Sequence, residues 1–255
     1  MAIGYNLLLC AILLSAAVAW RYSQLDWEAE RIRMVDQQLR ARDIHSARVL
    51  DAILKVPRHL FIPEAERAQA YQDHPVSIGY GQTISQPYIV AFMTQALDIE
   101  PNHRLLEIGT GSGYQAAVLS ILAKEVFTIE IVAPLAERAR KVLANLGYRN
   151  IQVRIGNGYL GWPEHAPYDR IMVTAAAKEV PPALVEQLKI DGLMAIPVGT
   201  SSQELRILRR TPTGVEIISS IPVLFVPMTG KPNASDGSRK SQYSHSPPTI
   251  QGELR

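Results

Sequence analysis

Cysteine is nearly absent: the 255 residues contain one, Cys10, so no internal disulfide can form and cysteine usage does not decide the compartment. A dominant charge is missing too. The formal net charge is +2, and cations are interleaved with acids, as in Glu28-Ala29-Glu30-Arg31-Ile32-Arg33, which argues against a dedicated nucleic-acid surface. His59, His74 and His103 are scattered without ligand spacing, so no metal is implied. There is no internal repeat, and no apolar run reaches the ~20 residues that a membrane-spanning helix needs. Leu7 to Trp20 comes nearest, with 14 residues broken only by Ser15. Ala17-Val18-Ala19 fits a small-residue cleavage site and favours a signal peptide, but no Lys or Arg precedes the run. Arg21, Arg31 and Arg33 follow it and would hold the next domain on the cytoplasmic side of an uncleaved anchor. Residues 1–20 therefore read as a signal peptide or a membrane anchor. Cytoplasmic placement of the following domain is preferred over export to the periplasm.

What is present is enough for one core. With 47% hydrophobic and 20% charged residues, the chain supports a single domain of about 200 residues, placed at 21–230. Residues 231–255 are rich in Ser, Pro and Gly and are expected to lack a packed fold. A helical region is expected from Asp26 to Lys55, with Ile32, Val35 and Leu39 on one face and Val49, Leu50, Ile53 and Leu54 on another, closed by Pro57 and Pro63. Ser85 or Gln86 caps a further helix that has Pro87 in its first turn. Strands are expected near 104–108, 125–130, 151–155, 170–174 and 192–198, with helices near 113–123, 134–146 and 180–188. This alternation predicts an α/β, doubly wound, mainly parallel sheet. The segments Leu205 to Arg210 and Val215 to Val226 have no long helix between them and read as an antiparallel C-terminal addition.

The chemistry concentrates after the first of those strands. Arg104-Leu105-Leu106-Glu107-Ile108 runs into Gly109-Thr110-Gly111-Ser112-Gly113, so a carboxylate and three alternating glycines precede a helix. A dinucleotide site needs glycine at the sixth position of this turn, where Tyr114 stands, and Glu107 would repel a pyrophosphate. The same carboxylate attracts the ammonium of a nucleoside without phosphates, of which S-adenosylmethionine is one. Glu130 ends the next strand 21 positions after Gly109, where an acid can accept hydrogen bonds from both ribose hydroxyls. A dehydrogenase is thereby excluded.

Over roughly residues 30–229 the chain resembles the protein-L-isoaspartate (D-aspartate) O-methyltransferases. The resemblance is carried by Val56-Pro57-Arg58 with Phe61, Tyr71-Gln72-Asp73 with Ile78-Gly79, and the block Gly81-Gln82-Thr83-Ile84-Ser85-Gln86-Pro87. It continues through Gly156-Asn157-Gly158 with Gly161-Trp162, Ala166-Pro167-Tyr168-Asp169, Val173-Thr174-Ala175-Ala176, Pro197-Val198-Gly199 and Phe225-Val226-Pro227. The Gln82 to Pro87 block is the part distinctive of this family.

The resemblance implies a Rossmann-like fold, S-adenosylmethionine as cofactor and isoaspartyl residues of damaged proteins as substrate. It makes Ser85 the catalytic residue, orienting the substrate carboxylate, with Thr83, Ile84 and Gln86 shaping the same lip. No G-x-S-x-G elbow surrounds Ser85, so it is not a nucleophile, and helix capping alone is the plainer role open to it. The cofactor residues implied are Glu107, Gly109, Gly111, Ser112, Gly113, Glu130, Asn157, Gly158 and Thr229. Asn157 departs from the family's Asp; its carbonyl can accept the same bond from adenine, so weaker but retained binding is expected. Asn-Gly is also a turn former in its own right, and Thr229 is equally readable as an ordinary tail residue. A methyltransferase acting on another substrate, or a non-catalytic cofactor-binding protein, would share the glycine turn. No motif sets an oligomeric state.

Overall fold

The computed structural model describes residues 26–231; the expected leader or anchor at 1–20 and the polar end beyond Lys231 lie outside the described residues. Asp26 accepts the Ala29 N–H at 3.1 Å and starts α1 (Trp27–Met34), which passes into a π-helical stretch, Val35–Arg40. Ser46 caps α2 (Ala47–Lys55) through the Val49 N–H. The helical region expected from 26 to 55 is thus two helices, and the turn between them lets both apolar faces, Val35 with Leu39 and Val49 with Ile53, reach the same core. A hairpin follows, β1 (Val76–Gly79) and β2 (Gln82–Ile84), turned by Gly79, Tyr80 and Gly81, all at positive φ. Gln86 is the N-cap of α3 (Pro87–Ala96), with no side-chain capping bond and Pro87 in the first turn.

The first part of the large sheet comprises β3 (Arg104–Ile108), α4 (Tyr114–Leu122), β4 (Glu125–Glu130), α5 (Ala133–Asn145) and β5 (Ile151–Ile155). The chain continues through β6 (Tyr168–Val173), α6 (Pro182–Gln187), β7 (Leu188–Gly199), β8 (Gln203–Thr211) and β9 (Gly214–Val223). The sheet order is β5-β4-β3-β6-β7-β8-β9; the first five of these strands run parallel, and β8 and β9 are antiparallel additions. The expected doubly wound α/β sheet with its antiparallel C-terminal edge is what forms.

Alternate residues of each strand feed different cores. Leu105, Val126 and Met172 pack under α2 to α5, while Leu106, Ile108, Phe127, Ile129 and Ile171 face α6 with Leu184 and Val185. Each fully buried Leu, Ile or Phe contributes on the order of 1.5–3 kcal/mol. The α6 face is thin: beside one six-residue helix it is closed by the short turns Gly158–Leu160 and Pro163–His165, with Tyr159 and Trp162 packed inward. Strand order reverses at β3, with β4 on one side and β6 on the other, so the carboxyl ends of β3 and β6 flank a switch-point crevice.

Two boundaries differ from the sequence reading. β7 starts at Leu188, directly after α6, because Tyr168 of β6 already pairs with Leu188 across a register shift. The last segment leaves the sheet after Val223. Gln203 receives the Phe225 N–H on Oε1 at 2.6 Å and donates Nε2 to the Phe225 carbonyl at 3.1 Å, which ends the ladder. The chain then pairs with Ala176, whose N–H donates to Val226 and whose carbonyl accepts from Met228, both at 2.8 Å. Among the described residues no helix is long and apolar enough to cross a membrane, and no group of three His, Cys, Asp or Glu side chains could hold a metal ion.

Candidate active site

The turn after β3 is built for close approach. Gly109 has φ +97°, and a Cβ there would lie 2.4 Å from Thr174 Oγ1, whose hydroxyl sits at 3.0 and 2.8 Å from the Ile108 and Gly109 carbonyls. Gly113, at φ +88°, is the N-cap of α4. Gly111 donates its N–H to Glu130 Oε2 at 2.8 Å, and Val132 N–H reaches Glu130 Oε1 at 2.9 Å. Glu130 is thus fixed at the end of β4 by two backbone donors, and each oxygen keeps capacity for one more hydrogen bond. Ser112 is buried, and its hydroxyl accepts the Tyr114 N–H at 3.3 Å.

Glu107 is fully buried on β3, opposite Thr128 in the parallel register. Thr128 Oγ1 lies 2.5 Å from Oε2 and 2.7 Å from the Thr110 hydroxyl; with Glu107 ionised, Thr128 donates to the carboxylate and Thr110 donates to Thr128. Oε1 has no partner. Burial, with the Glu130 charge adding to it and the Thr128 bond opposing it, pushes the carboxyl up to about 8.

Facing the turn across a narrow cleft are Thr83, Ile84 and Ser85, with Tyr114 and Thr174 completing the walls. The Ser85 carbonyl accepts from Arg58 Nη2 at 2.7 Å, while the half-buried Ser85 hydroxyl has no partner among the described residues. Gln86 does not line the cleft. Its Nε2 donates to the Asp73 carbonyl and to Oδ1 at 3.1 and 2.9 Å, and Asp73 pairs with Arg42, so Gln86 braces the lip from behind.

The loop after β5 approaches from the other side. A Cβ on Gly158 would lie 2.3 Å from Ile108 Cγ2, so only glycine lets this loop rest on the end of β3. Asn157 Oδ1 accepts the Tyr159 N–H at 3.1 Å, and Nδ2 donates to the Lys231 carbonyl at 2.8 Å, tying the last segment to this loop. Thr229 is exposed in that segment, next to Gly230, which packs against Asn157. Asp169 accepts from the Arg104 N–H and from Lys189 at the far end of the sheet, as a structural residue would. Trp162 packs edge-on to Phe127 beneath the loop.

Tyr114, Thr174, Thr110, Thr128 and Arg58 were not picked out as site residues from the sequence. Tyr114 could have been found as the bulky residue replacing the sixth-position glycine. Nothing in the string signals that Arg58 is buried.

A glycine turn at the switch point, an acid-ended second strand and Tyr114 in place of the sixth-position glycine of a dinucleotide turn define a Rossmann-like nucleoside-cofactor protein of the methyltransferase class. The family model described as Protein-L-isoaspartate(D-aspartate) O-methyltransferase matches residues 29–233. Relatives of that name from a Synechococcus sp. and from Gloeobacter violaceus are 55% and 52% identical over 208 and 198 residues, covering 78% and 77% of this chain and 85% and 97% of theirs. Among solved structures, a Plasmodium falciparum chain described as a protein-L-isoaspartate O-methyltransferase, in complex with S-adenosyl-L-homocysteine, is similar with a TM-score of 0.67 at 26% identity, over 78% of this chain and 98% of that one. The chain belongs to the protein-L-isoaspartate (D-aspartate) O-methyltransferase family.

Proposed function

We propose that this enzyme methylates the free α-carboxylate of L-isoaspartyl residues, and of D-aspartyl residues, in damaged proteins, opening their repair through a succinimide. The observation that carries the reading is the cleft itself, which sets Thr83-Ile84-Ser85 against the Gly109 to Ser112 turn. The residues present fit S-adenosylmethionine: positive-φ glycines clear the floor, Glu130 offers spare acceptor capacity, and Glu107 Oε1 is an orphaned buried acceptor. When bound, that cofactor supplies a sulfonium methyl group to the substrate carboxylate oxygen, and sulfur keeps the bonding pair.

The chain's own residues bind and align. Glu130 would accept the ribose hydroxyls, Glu107 the ammonium, and Asn157 Oδ1 with the Gly158 backbone the adenine edge, with Thr229 beside them. Gly109, Gly111, Ser112 and Gly113 give the backbone its close approach. The unpartnered Ser85 hydroxyl is free to donate to the substrate carboxylate, Thr83 and Ile84 shape its lip, and Gln86 fixes that lip to Asp73. A carboxylate with a pKa below ~4 is already ionised at neutral pH, so no general base is needed. Holding the reacting atoms ~3–3.5 Å apart in line can supply most of the acceleration. Methyl transfer to an isoaspartyl peptide and not to its aspartyl isomer, giving a base-labile ester, tests this reading; methylation of RNA or a small acceptor instead would overturn it.

For the chain as a whole we place the catalytic domain at 21–230, on the cytoplasmic side and attached through the N-terminal apolar segment. The basic residues after that segment support this, as does the cytoplasmic synthesis of the methyl donor. A native N-terminus at Trp20, with protease access from outside the inner membrane, would contradict it.

A further inference from the structure

Arg58 is fully buried, and no carboxylate among the described residues is close enough to act as its counter-ion. Nε donates to the Ala70 carbonyl and Nη2 to the Ser85 carbonyl, both at 2.7 Å. The guanidinium carbon lies 4.9 Å from the centroid of the Tyr114 ring. The Arg58 and Tyr114 side chains meet in this enclosure, where Nη1 and the Tyr114 hydroxyl form no well-shaped hydrogen bond among the described residues, and the residues that Arg58 touches here, Ser85 and Tyr114, are walls of the cleft. Burial pushes the guanidinium down to about 10, opposed only by the neighbouring Tyr114 and Tyr71. A charge taken out of water without a counter-ion is strongly disfavoured, and its retention beside the cleft calls for a function that repays it.

We propose that Arg58 is a positioning residue that reads substrate charge: it fixes the Ser85 loop through the Ser85 carbonyl, and it supplies the counter-charge for the anionic carboxylate that Ser85 orients. This rests on the function proposed above. In that reaction the carboxylate oxygen gains a methyl group and loses its charge, so a cation behind the cleft stabilises the bound acid and not the ester product. The charge therefore favours substrate capture and ester release. It lowers KM without raising kcat, because the interaction is stronger in the ground state than at the transition state, where the anion is already being neutralised. The two hydrogen bonds do something separate, holding the Ser85 loop where its hydroxyl can act.

The test uses the full chain saturated with S-adenosylhomocysteine, so that nothing turns over, and compares by calorimetry an isoaspartyl peptide with its synthetic α-methyl ester. The wild type is expected to bind the acid about tenfold more tightly than the ester. In Arg58→Met that ratio should fall to near one, because the loosened Ser85 loop weakens acid and ester alike while only the acid also loses the counter-charge, and the affinity for S-adenosylhomocysteine should be unmoved. Arg58→Lys, compared at pH 6 where a buried amine holds its proton better than at neutral pH, is the variant that decides the matter where Arg58→Met does not fold. It should retain the acid-to-ester ratio and lose about tenfold in kcat, since one ammonium cannot replace the bonds to both Ala70 and Ser85. Equal binding of acid and ester by the wild type, an unchanged ratio in folded Arg58→Met, or an unchanged kcat in Arg58→Lys overturns the inference. A wild type with no activity on the isoaspartyl peptide overturns the functional reading itself, which is a separate outcome.

Discussion

Replacing Glu107 by Gln should make the ligand-free protein more stable, and more so as pH rises. The carboxyl is fully buried, has one oxygen without a partner, and titrates near 8 instead of the usual 4.5. Because its folded-state pKa lies above the unfolded one, the folded protein binds the proton more tightly. The stability that this proton contributes is complete below pH 4.5, falls through the window up to about 8, and is gone above it. The slope inside the window is about 1.4 kcal/mol per pH unit, so on the order of 3 kcal/mol is lost by pH 7, an upper bound for a site that relaxes. Glu107→Gln keeps the shape and an acceptor for Thr128 while removing the ionisation, so the gap between the two proteins should widen from pH 5 to pH 8. Urea unfolding across that range measures it directly. A constant gap, or a wild type that gains stability relative to Glu107→Gln as pH rises, would refute the reasoning. Cofactor binding provides the converse test: if the ammonium meets Glu107, it draws that carboxyl into its ionised form, and about one proton per site is released at pH 7, measurable by calorimetry in buffers of different ionisation enthalpy. No proton release would remove Glu107 from the ammonium site.

Ser85→Ala is expected to cut kcat strongly and leave cofactor affinity alone. Glu130→Ala should weaken cofactor binding by about 1.5–3 kcal/mol through lost charge-assisted hydrogen bonds; equal losses of affinity in both would contradict this division. Gly158→Ala forces a Cβ to within 2.3 Å of Ile108 Cγ2 and should cost about 1–3 kcal/mol of stability by thermal unfolding, with no loss at all counting against the close packing of loop and strand. Asn157→Asp replaces the donor that holds the Lys231 carbonyl with a charge, and limited proteolysis should then cleave the segment after Phe225 faster; unchanged cleavage would show that the clasp carries no weight. Aged protein should accumulate isoaspartate at Asp236-Gly237 ahead of Asn157-Gly158, where both side-chain polar atoms are already bonded, and peptide mapping with the reverse order would contradict it.

The first two parallel strands, β3 and β4, were legible because each is a short, mostly apolar run that leads to a distinctive residue or turn. Leu105 to Ile108 leads to the glycine turn, Val126 to Ile129 leads to Glu130, and helix periodicity fills the gaps. The hairpin at 76–84 was not read as strands, since three or four residues on each side of Gly79-Tyr80-Gly81 give too little alternation to count. Glu107 and Arg58 show a second limit. A charged residue inside an apolar stretch reads as a solvent-facing or ligand-facing group, whereas a central strand buries both faces and an arginine can be enclosed by loops far away in sequence. The clasp between Asn157 and Lys231 spans 74 positions and depends on how the last segment crosses Ala176, which no local pattern encodes.

The cleft between the Ser85 lip and the glycine turn is proposed to select an isoaspartyl carboxylate for methylation. Its most direct test offers protein lacking residues 1–20 a labelled methyl donor and a pair of peptides that differ only in whether one aspartyl linkage runs through the side chain. The predicted result is a base-labile methyl ester on the isoaspartyl peptide alone, abolished in Ser85→Ala while cofactor binding persists. Equal labelling of both peptides, or labelling that survives the loss of the Ser85 hydroxyl undiminished, would contradict it.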